Sequence, residues 1–410
     1  MIPIPKWKNV FKVIGPGFII ASVVLGPGSI TVSSRIGSAY EYSMLWVVIV
    51  AAIFMAIYTS MSTRFGVLHK ESLLQTISDK YGRWFAVVIG VSAFLSSASF
   101  QFGNNLGVGI GMFGITGIGE HVWSIIFTSF AIILIFWAKS LYKILEKIMM
   151  FMVMIMILAF VFNLILVKPN VVSTLKGFLP APFSMDNLDE MIAIVGTTFV
   201  LTASMFQSYL VQDKGWKIEN LKDSMRDNIA GIFILSTIST IVIITSATAL
   251  HPLGIKINSA ADMAVQLESL FGSYAKYVFS LGLCAAAFSS LLVNSIMSGC
   301  LLSDGLGLGR SMNEKYPKIF TVLTLIVGML IAVFFKGNII YALIMAQASS
   351  ILGVPLIALG IFLAANNKKI MGEYVNSKRQ NVFAVFGFIL ISVMVYFICN
   401  KLLQFISEIL

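Results

Sequence analysis

Residues 18–37 read Phe-Ile-Ile-Ala-Ser-Val-Val-Leu-Gly-Pro-Gly-Ser-Ile-Thr-Val-Ser-Ser-Arg-Ile-Gly, a run apolar enough to enter a membrane but interrupted at its centre by Gly26-Pro27-Gly28. Proline removes a backbone donor and clashes with the preceding turn, and the flanking glycines weaken a continuous helix further. The groups freed there find no water in lipid. Broken backbone at that depth survives only where protein or a water-filled cavity covers it. The stretch therefore reads as two half-helices meeting at a binding site near the bilayer midplane. The plainer reading is a proline kink with no ligand.

The rest of the chain is written for the same solvent. Of 410 residues, 58% are hydrophobic and 11% are charged, and the mean hydropathy is +0.93. Soluble domains carry about 25% charged residues. Apolar runs recur at about 11–37, 43–63, 84–110, 122–138, 148–167, 190–212, 229–250, 273–302, 319–335, 338–364 and 381–405, which gives eleven candidate spans. With the N-terminus placed in the cytoplasm, the cytoplasmic segments hold 21 of the 28 Lys and Arg, the outer segments hold 6, and Arg35 lies inside a span. That is a positive-inside pattern, expected of a plasma (inner) membrane protein. It also accounts for the net charge of +10 through anionic lipid, without nucleic acid. The first apolar run is too long and too interrupted for a cleavable signal peptide. Cys284, Cys300 and Cys399 match no metal-ligand spacing and read as packing residues.

Polar residues inside the spans mark the faces that avoid lipid. The third span holds Ser96, Ser97, Ser99, Gln101, Asn104 and Asn105. Several of these share one helical face, either for interhelical hydrogen bonds or as a pore lining. Residues 168–189, with Pro169, Pro180 and Pro182, form a long outer linker. It divides a first repeat (1–167, spans one to five) from a second (190–364, spans six to ten), leaving 365–410 for a cytoplasmic loop and span eleven. In an inverted repeat of five plus five, span six is the partner of span one and is interrupted at the matching place. Gly196, Thr197, Thr198, Thr202, Ala203 and Ser204 weaken its centre, although no proline is present.

Gly15-Pro16-Gly17-Phe18, Gly26-Pro-Gly-Ser-Ile-Thr31, Gly37-Ser38, Tyr42-Ser43-Met44-Leu45-Trp46 and Met61-Ser-Thr-Arg64-Phe-Gly66-Val67 resemble the Nramp family of divalent-metal transporters, without a gap over roughly residues 15–67. Leu210-Val211-Gln212, Gly299-Cys-Leu-Leu-Ser-Asp304-Gly305, and Gln347 with Pro355 are similar to later family segments. The resemblance implies an all-α integral membrane protein, a LeuT-type inverted-repeat bundle of about eleven helices with helices one and six broken, working by alternating access. No nucleophile–base pair or metal cluster in the spans suggests an enzyme.

The departures from the family bear on the cargo. The family's metal site is similar to Asp-Pro-Gly-Asn, where this chain has Gly26-Pro27-Gly28-Ser29. Ala-x-x-Met-Pro-His of the sixth span is replaced by Thr197-Thr-Phe-Val200-Leu-Thr202, and the second histidine of that helix falls on Gln207. The acids of the third-span proton route fall in Phe100-Gln-Phe-Gly103. Acidic residues lie in loops or at span ends, and so do His69, His121 and His251. Hard divalent ions want carboxylate oxygen, and softer ones want imidazole or sulfur.

The expected substrate site is therefore neutral: Gly26, Gly28, Ser29, Ile30 and Thr31 from the first span, Thr197, Thr198, Val200 and Thr202 from the sixth, and Gln347 from the tenth. No metal-ligand set is assigned. Arg35 stands about 13 Å beyond Gly26 along the helix, in an outer vestibule where it attracts anions, unless it snorkels or pairs with Glu41. The fold resemblance implies a coupling-ion site for Na+ at Leu25 and Gly26 with Ser289 and Ser290, and no other cofactor. Gln101, Asn104 and Asn105 give a polar lining. The leading expectation is an Nramp-related transporter that has lost metal chemistry and carries a small anion, bicarbonate being one candidate, or a small polar solute. The alternative is a divalent-cation transporter with an altered, carboxylate-free site. The expected partners are the lipid bilayer and the cargo, for a monomer.

Overall fold

The computed structural model describes residues 15–137, 151, 158, 160–180 and 187–409, and every regular element among them is helical. Among the described residues nine helices are long and apolar enough to cross a membrane, and one sharply bent pair makes a tenth span. Half of the remaining expected span, at about 148–167, lies outside the described residues.

The first span is broken as its sequence predicts. Helix α1 (Pro16–Val24) and helix α2 (Pro27–Tyr40) meet at 57°. Each begins on a proline, the residue whose missing N–H is harmless at a first helical position. Between them Leu25 (φ −78°, ψ 52°) and Gly26 (φ −86°, ψ −176°) leave helical space. Helix α3 (Leu45–Leu68), the short α4 (Leu73–Tyr81), α5 (Arg83–Thr116) and α6 (Glu120–Trp137) follow.

The sixth span is interrupted too. Helix α7 (Leu188–Thr198) and helix α8 (Leu201–Asp213) flank Phe199 (φ −99°, ψ 66°) and Val200 (φ −88°, ψ 92°). Neither residue is proline or glycine, so packing rather than local preference opens this turn. Then come α9 (Leu221–Ala249), α10 (Ala275–Gly305) and α11 (Lys315–Phe334). The tenth span contains a third interruption that the sequence did not announce. A 3₁₀ turn, Ser350–Gly353, joins α12 (Ile339–Ser349) to α13 (Val354–Ala365), with Pro355 just inside α13. Hydroxyls take up the loosened carbonyls: Ser350 Oγ donates to Gln347 O at 2.7 Å and Ser96 Oγ to Ser350 O at 2.5 Å. Helix α14 (Lys378–Ile409) closes the chain.

The broken helices form the centre of the bundle. The α7–α8 span is buried from Glu190 to Val211, while α6, α11 and α14 turn broad apolar faces outward. Helix α9 runs beside both halves of the first span at contact distance. A methyl on Gly17 would overlap Asp227 O, and one on Gly231 would overlap Gly17 O. Helices approach this closely where small residues line the interface.

Candidate functional site

The α1–α2 break gathers side chains from three other helices, α5, α10 and α12. Ser29 Oγ donates to Val24 O, and Ser290 Oγ of α10 donates to Val23 O at 2.8 Å. These two hydroxyls satisfy carbonyls that Pro27 and the turn leave without a helical partner. Ser29 is therefore first a staple across the break. Ser289, expected beside Ser290, instead bonds back to Ala286 O at 2.9 Å on its own helix.

Gln347 of α12 reaches the break from the other side. A methyl on Gly28 would overlap its amide, one on Gly103 would stand 2.7 Å from its Nε2, and one on Gly196 2.6 Å from its carbonyl oxygen. The side chain is thus threaded between α2 and α5, with its backbone against α7. Both of its amide atoms are buried without a protein hydrogen-bond partner. So are Thr31 Oγ1, Thr198 Oγ1 and both amide atoms of Gln207. Thr197 differs, since its hydroxyl returns to Ile194 O at 3.0 Å. Ile30, Val200 and Thr202 are buried around the two breaks. The predicted residues of spans one, six and ten thus flank the breaks, although Ser29 and Thr197 spend their hydroxyl hydrogens on backbone.

The third-span polar face points inward. Gln101, Asn104 and Asn105 are fully buried. Asn105 works within the bundle: its Nδ2 donates to Gln101 O at 3.0 Å, and its Oδ1 accepts from Thr128 Oγ1 at 2.9 Å. Gln101 Oε1 accepts from Asn294 Nδ2 at 3.0 Å and from Asn104 Nδ2 at 3.4 Å. Gln101 Nε2 and Asn104 Oδ1 keep no protein partner. Asn105 Oδ1 and Gln101 Oε1 thus serve interhelical hydrogen bonds, while Gln101 Nε2 and Asn104 Oδ1 keep unused hydrogen-bonding capacity.

Arg35 does not pair with Glu41. Its Nε lies 2.9 Å from Glu190 Oε1, in the first turn of α7, and Tyr40 Oη donates to Glu190 Oε2 at 3.4 Å. Glu41 is exposed, at the end of α2 with φ 54°. The difference is one of direction: the chain reverses at Glu41, while the start of α7 lies beside α2. On the α1 side, Asp227 accepts from Gly15 N at 2.8 Å and Gly17 N at 2.7 Å. Tyr209 Oη donates to Asp304, and Arg83 reaches Asp304 O at 3.2 Å. With Ser29, Thr31, Asn104, Thr198 and Gln347 all buried, the site is shut to both faces in this conformation. A groove of about 790 Å³ lined by Leu95, Phe102, Tyr341 and Leu356 lies away from the break on the outside of the bundle.

Glu190, Asp227 and the packing role of Gly103 were not read from the sequence, and Gly196 was read only as weakening its helix, not as the seat of the Gln347 backbone. Gly103, Gly107 and Gly111 did carry a signal, because small residues four apart mark a close helix interface. A methyl on Gly107 would overlap the Pro27 ring. Asp227 gave none: it looked like a residue of the loop before the seventh span.

Residues 17–400 match the model of the Natural resistance-associated macrophage protein-like (Nramp) family. The chain belongs to the Nramp family. Members of this family are membrane transporters and not enzymes, so this polytopic protein is a transporter. Among its relatives is the divalent metal cation transporter MntH of Caldanaerobacter subterraneus subsp. tengcongensis, 23% identical over 388 residues covering 92% of this chain and 90% of the relative. The fold is shared with the manganese transporter of Eremococcus coleocola, at a TM-score of 0.80, 14% identity, and coverage of 96% of this chain and 88% of that one. MhsT, solved in complex with L-phenylalanine, superposes at a TM-score of 0.61 with 15% identity, covering 94% of this chain and 97% of its own. This Nramp bundle therefore has the LeuT-type architecture, with its first and sixth spans broken.

Proposed function

We propose that this transporter carries a small anion or a small hydrogen-bonding solute through its broken-helix site, bicarbonate being one candidate. It sits in the plasma membrane with its N-terminus cytoplasmic. The observation that carries the reading is the chemistry of the unpartnered atoms. The Gln347 amide and the hydroxyls of Thr31 and Thr198 offer donors and acceptors without charge. Among the described residues no group of three His, Cys, Asp or Glu could hold a metal ion. The first N–H groups of α2, at Gly28 and Ser29, add the positive end of a helix dipole, which favours negative charge. Stripping water from a divalent cation needs compensation that neutral oxygens supply poorly.

A second reading is favoured by the names of the relatives, which are divalent metal cation and manganese transporters. Here a divalent cation would stay largely hydrated, held by Ser29, Gln347 and backbone carbonyls of the break. Calorimetry with MnCl₂, followed by proteoliposome uptake of labelled Mn²⁺ and of labelled bicarbonate, separates the two. The expected result is no saturable Mn²⁺ binding, with bicarbonate uptake that Gln347→Ala abolishes. Saturable Mn²⁺ binding and uptake lost in Gln347→Ala would overturn the neutral-site reading and establish the metal one.

A further inference from the structure

The groove of about 790 Å³ on the outside of the bundle is a furrow, not a flat lipid-facing wall. Its floor is made of small buried residues, Ala98 of α5 with Ala342 and Ala346 of α12. Its rims are large. Leu95 and Tyr341 stand exposed, and Phe102 closes one side by packing on Phe335 at the end of α11, with ring centroids 5.6 Å apart. At the far end the 3₁₀ turn comes so close to α5 that a methyl on Gly353 would stand 2.4 Å from Ser92 O. From Tyr341 to Leu356 the furrow follows about 22 Å of chain, at about 1.5 Å per residue. One hydrocarbon leaflet is about 15 Å thick. Three hydroxyls on the walls spend their hydrogens on backbone: Ser92 Oγ donates to Val88 O at 2.8 Å, Ser99 Oγ to Leu95 O at 3.4 Å and Ser96 Oγ to Ser350 O at 2.5 Å. Water in such a furrow would lose hydrogen bonds, and hydrocarbon would not. One end differs. Lys401, which closes the apolar run of α14, lines the mouth with Tyr341 of the first turn of α12. Its ammonium contacts Asp189 of α7, yet 41% of the side chain remains exposed, and an ammonium carries three hydrogens.

We propose that this groove binds one membrane phospholipid, with an acyl chain laid along the floor and the phosphate held by the Lys401 ammonium and the Tyr341 hydroxyl. A long apolar furrow with hydrogen-bond donors at one end matches an amphiphile with hydrocarbon at one end and phosphate oxygens at the other. Asp189 offsets the charge of Lys401, so the phosphate is recognised and the net charge of the headgroup is not. The site lies behind the polar centre of the protein. Ala346 of the floor precedes Gln347, whose side chain leaves the opposite face of α12 toward the first break. Ser96 Oγ holds Ser350 O, and Ser350 Oγ holds Gln347 O. A chain in the furrow therefore wedges the interruption of the tenth span from behind and keeps Gln347 in place. Lipid binding is independent of the cargo. Its effect on transport rests on the transport reading above, in which Gln347 meets the cargo.

The test is native mass spectrometry of the purified full-length protein with phosphatidylglycerol, phosphatidylcholine or diacylglycerol of the same chains. One phospholipid is expected to be retained per protein, the two phospholipids alike, and diacylglycerol about fivefold or more weaker. Lys401→Gln is expected to weaken retention about fivefold, while Lys401→Arg keeps it. Asp189→Asn breaks the same ion pair but frees the ammonium, so it is expected to retain lipid at least as well as the parent. Ser99→Trp fills the furrow and is expected to abolish retention while the melting temperature holds. Hydrogen–deuterium exchange reads the wedge: removal of lipid is expected to quicken exchange across residues 345–356 in the parent and not in Ser99→Trp. Equal retention of diacylglycerol overturns the proposal, as do equal losses in Asp189→Asn and Lys401→Gln. Retention of several lipids undiminished in Ser99→Trp means bulk lipid only and overturns it too. Exchange unchanged by lipid removal overturns the wedge. None of these results depends on which cargo is taken up, so the lipid site and the transport reading fail separately.

Discussion

At the scale of the residue, glycine decides how closely this protein can pack around its first break. Gly107 leaves room for the ring of Pro27, and any side chain there would collide with it. Overpacking a dense interior typically costs about 1–3 kcal/mol. Gly107→Ala is therefore expected to lower the melting temperature in detergent and to reduce uptake of the native cargo. Gly282, near the start of α10, has nothing within 4 Å of an added methyl. Alanine is the better helix former by about 1 kcal/mol, so Gly282→Ala is expected to leave stability unchanged or raise it. The pair forms an internal control: a similar loss in both variants would show that general helix propensity, and not contact with Pro27, governs the effect. Gln347 is legible in the sequence as a polar residue in a span. Its seat between Gly28 and Gly103 is not, because the two glycines are 75 positions apart in a chain that gives no hint of their meeting.

At the scale of the element, α1 is a nine-residue helix, too short to be stable alone. Its start is held from α9, where both carboxylate oxygens of Asp227 accept the N–H groups of Gly15 and Gly17. A carboxylate at a helix N-terminus satisfies orphan donors and opposes the dipole, each worth about 0.5–2 kcal/mol. Asp227→Ala is expected to loosen α1 relative to α2. Hydrogen–deuterium exchange should quicken across residues 16–24 while residues 27–40 keep their protection. Equal quickening in both halves would mean that Asp227 supports the fold generally and does not latch one half-helix. The broken first span was legible because Gly-Pro-Gly forbids a helix by local chemistry. The Phe199–Val200 break was legible only through the symmetry expected of two repeats, since neither residue resists helix by itself. The turn at Ser350–Gly353 was not foreseen at all, because Pro355 lies beyond it, inside the following helix.

At the scale of the whole molecule, the site is closed by contacts on opposite sides of the two breaks. Asp227 ties α1 to α9 on one side. Arg35 and Glu190 tie α2 to α7 on the other, joining the half-helices that end nearest each other there. Alternating access requires that one set open while the other holds. Arg35 keeps about a third of its side-chain surface exposed while Glu190 is nearly covered, so the coupling is expected to exceed that of a fully exposed pair, at about 1 kcal/mol. A double-mutant cycle of Arg35→Gln and Glu190→Gln, read by thermal stability at low and high salt, measures it. Glu190→Gln is expected to cost less than Arg35→Gln, because the latter leaves a buried carboxylate without its cation. The reverse order, or a coupling near zero, would show that the pair does not close this side.

The sequence by itself determined the membrane setting, the rough limits of the spans found among the described residues, the broken first helix and the family, because each is written in local composition or in contiguous motifs. Hydropathy is additive along a chain, and proline acts on its own turn. Only the tertiary structure decided which polar atoms meet. It turned Ser289 back onto its own helix, brought Asn104 from the third span to the break, gave Arg35 to Glu190 instead of Glu41, and set Asp227 against the first residues of α1. Those pairings join residues as many as 212 positions apart. Hydrogen bonds and ion pairs depend on distances of a few ångströms, which helix packing sets and hydrophobic pattern does not.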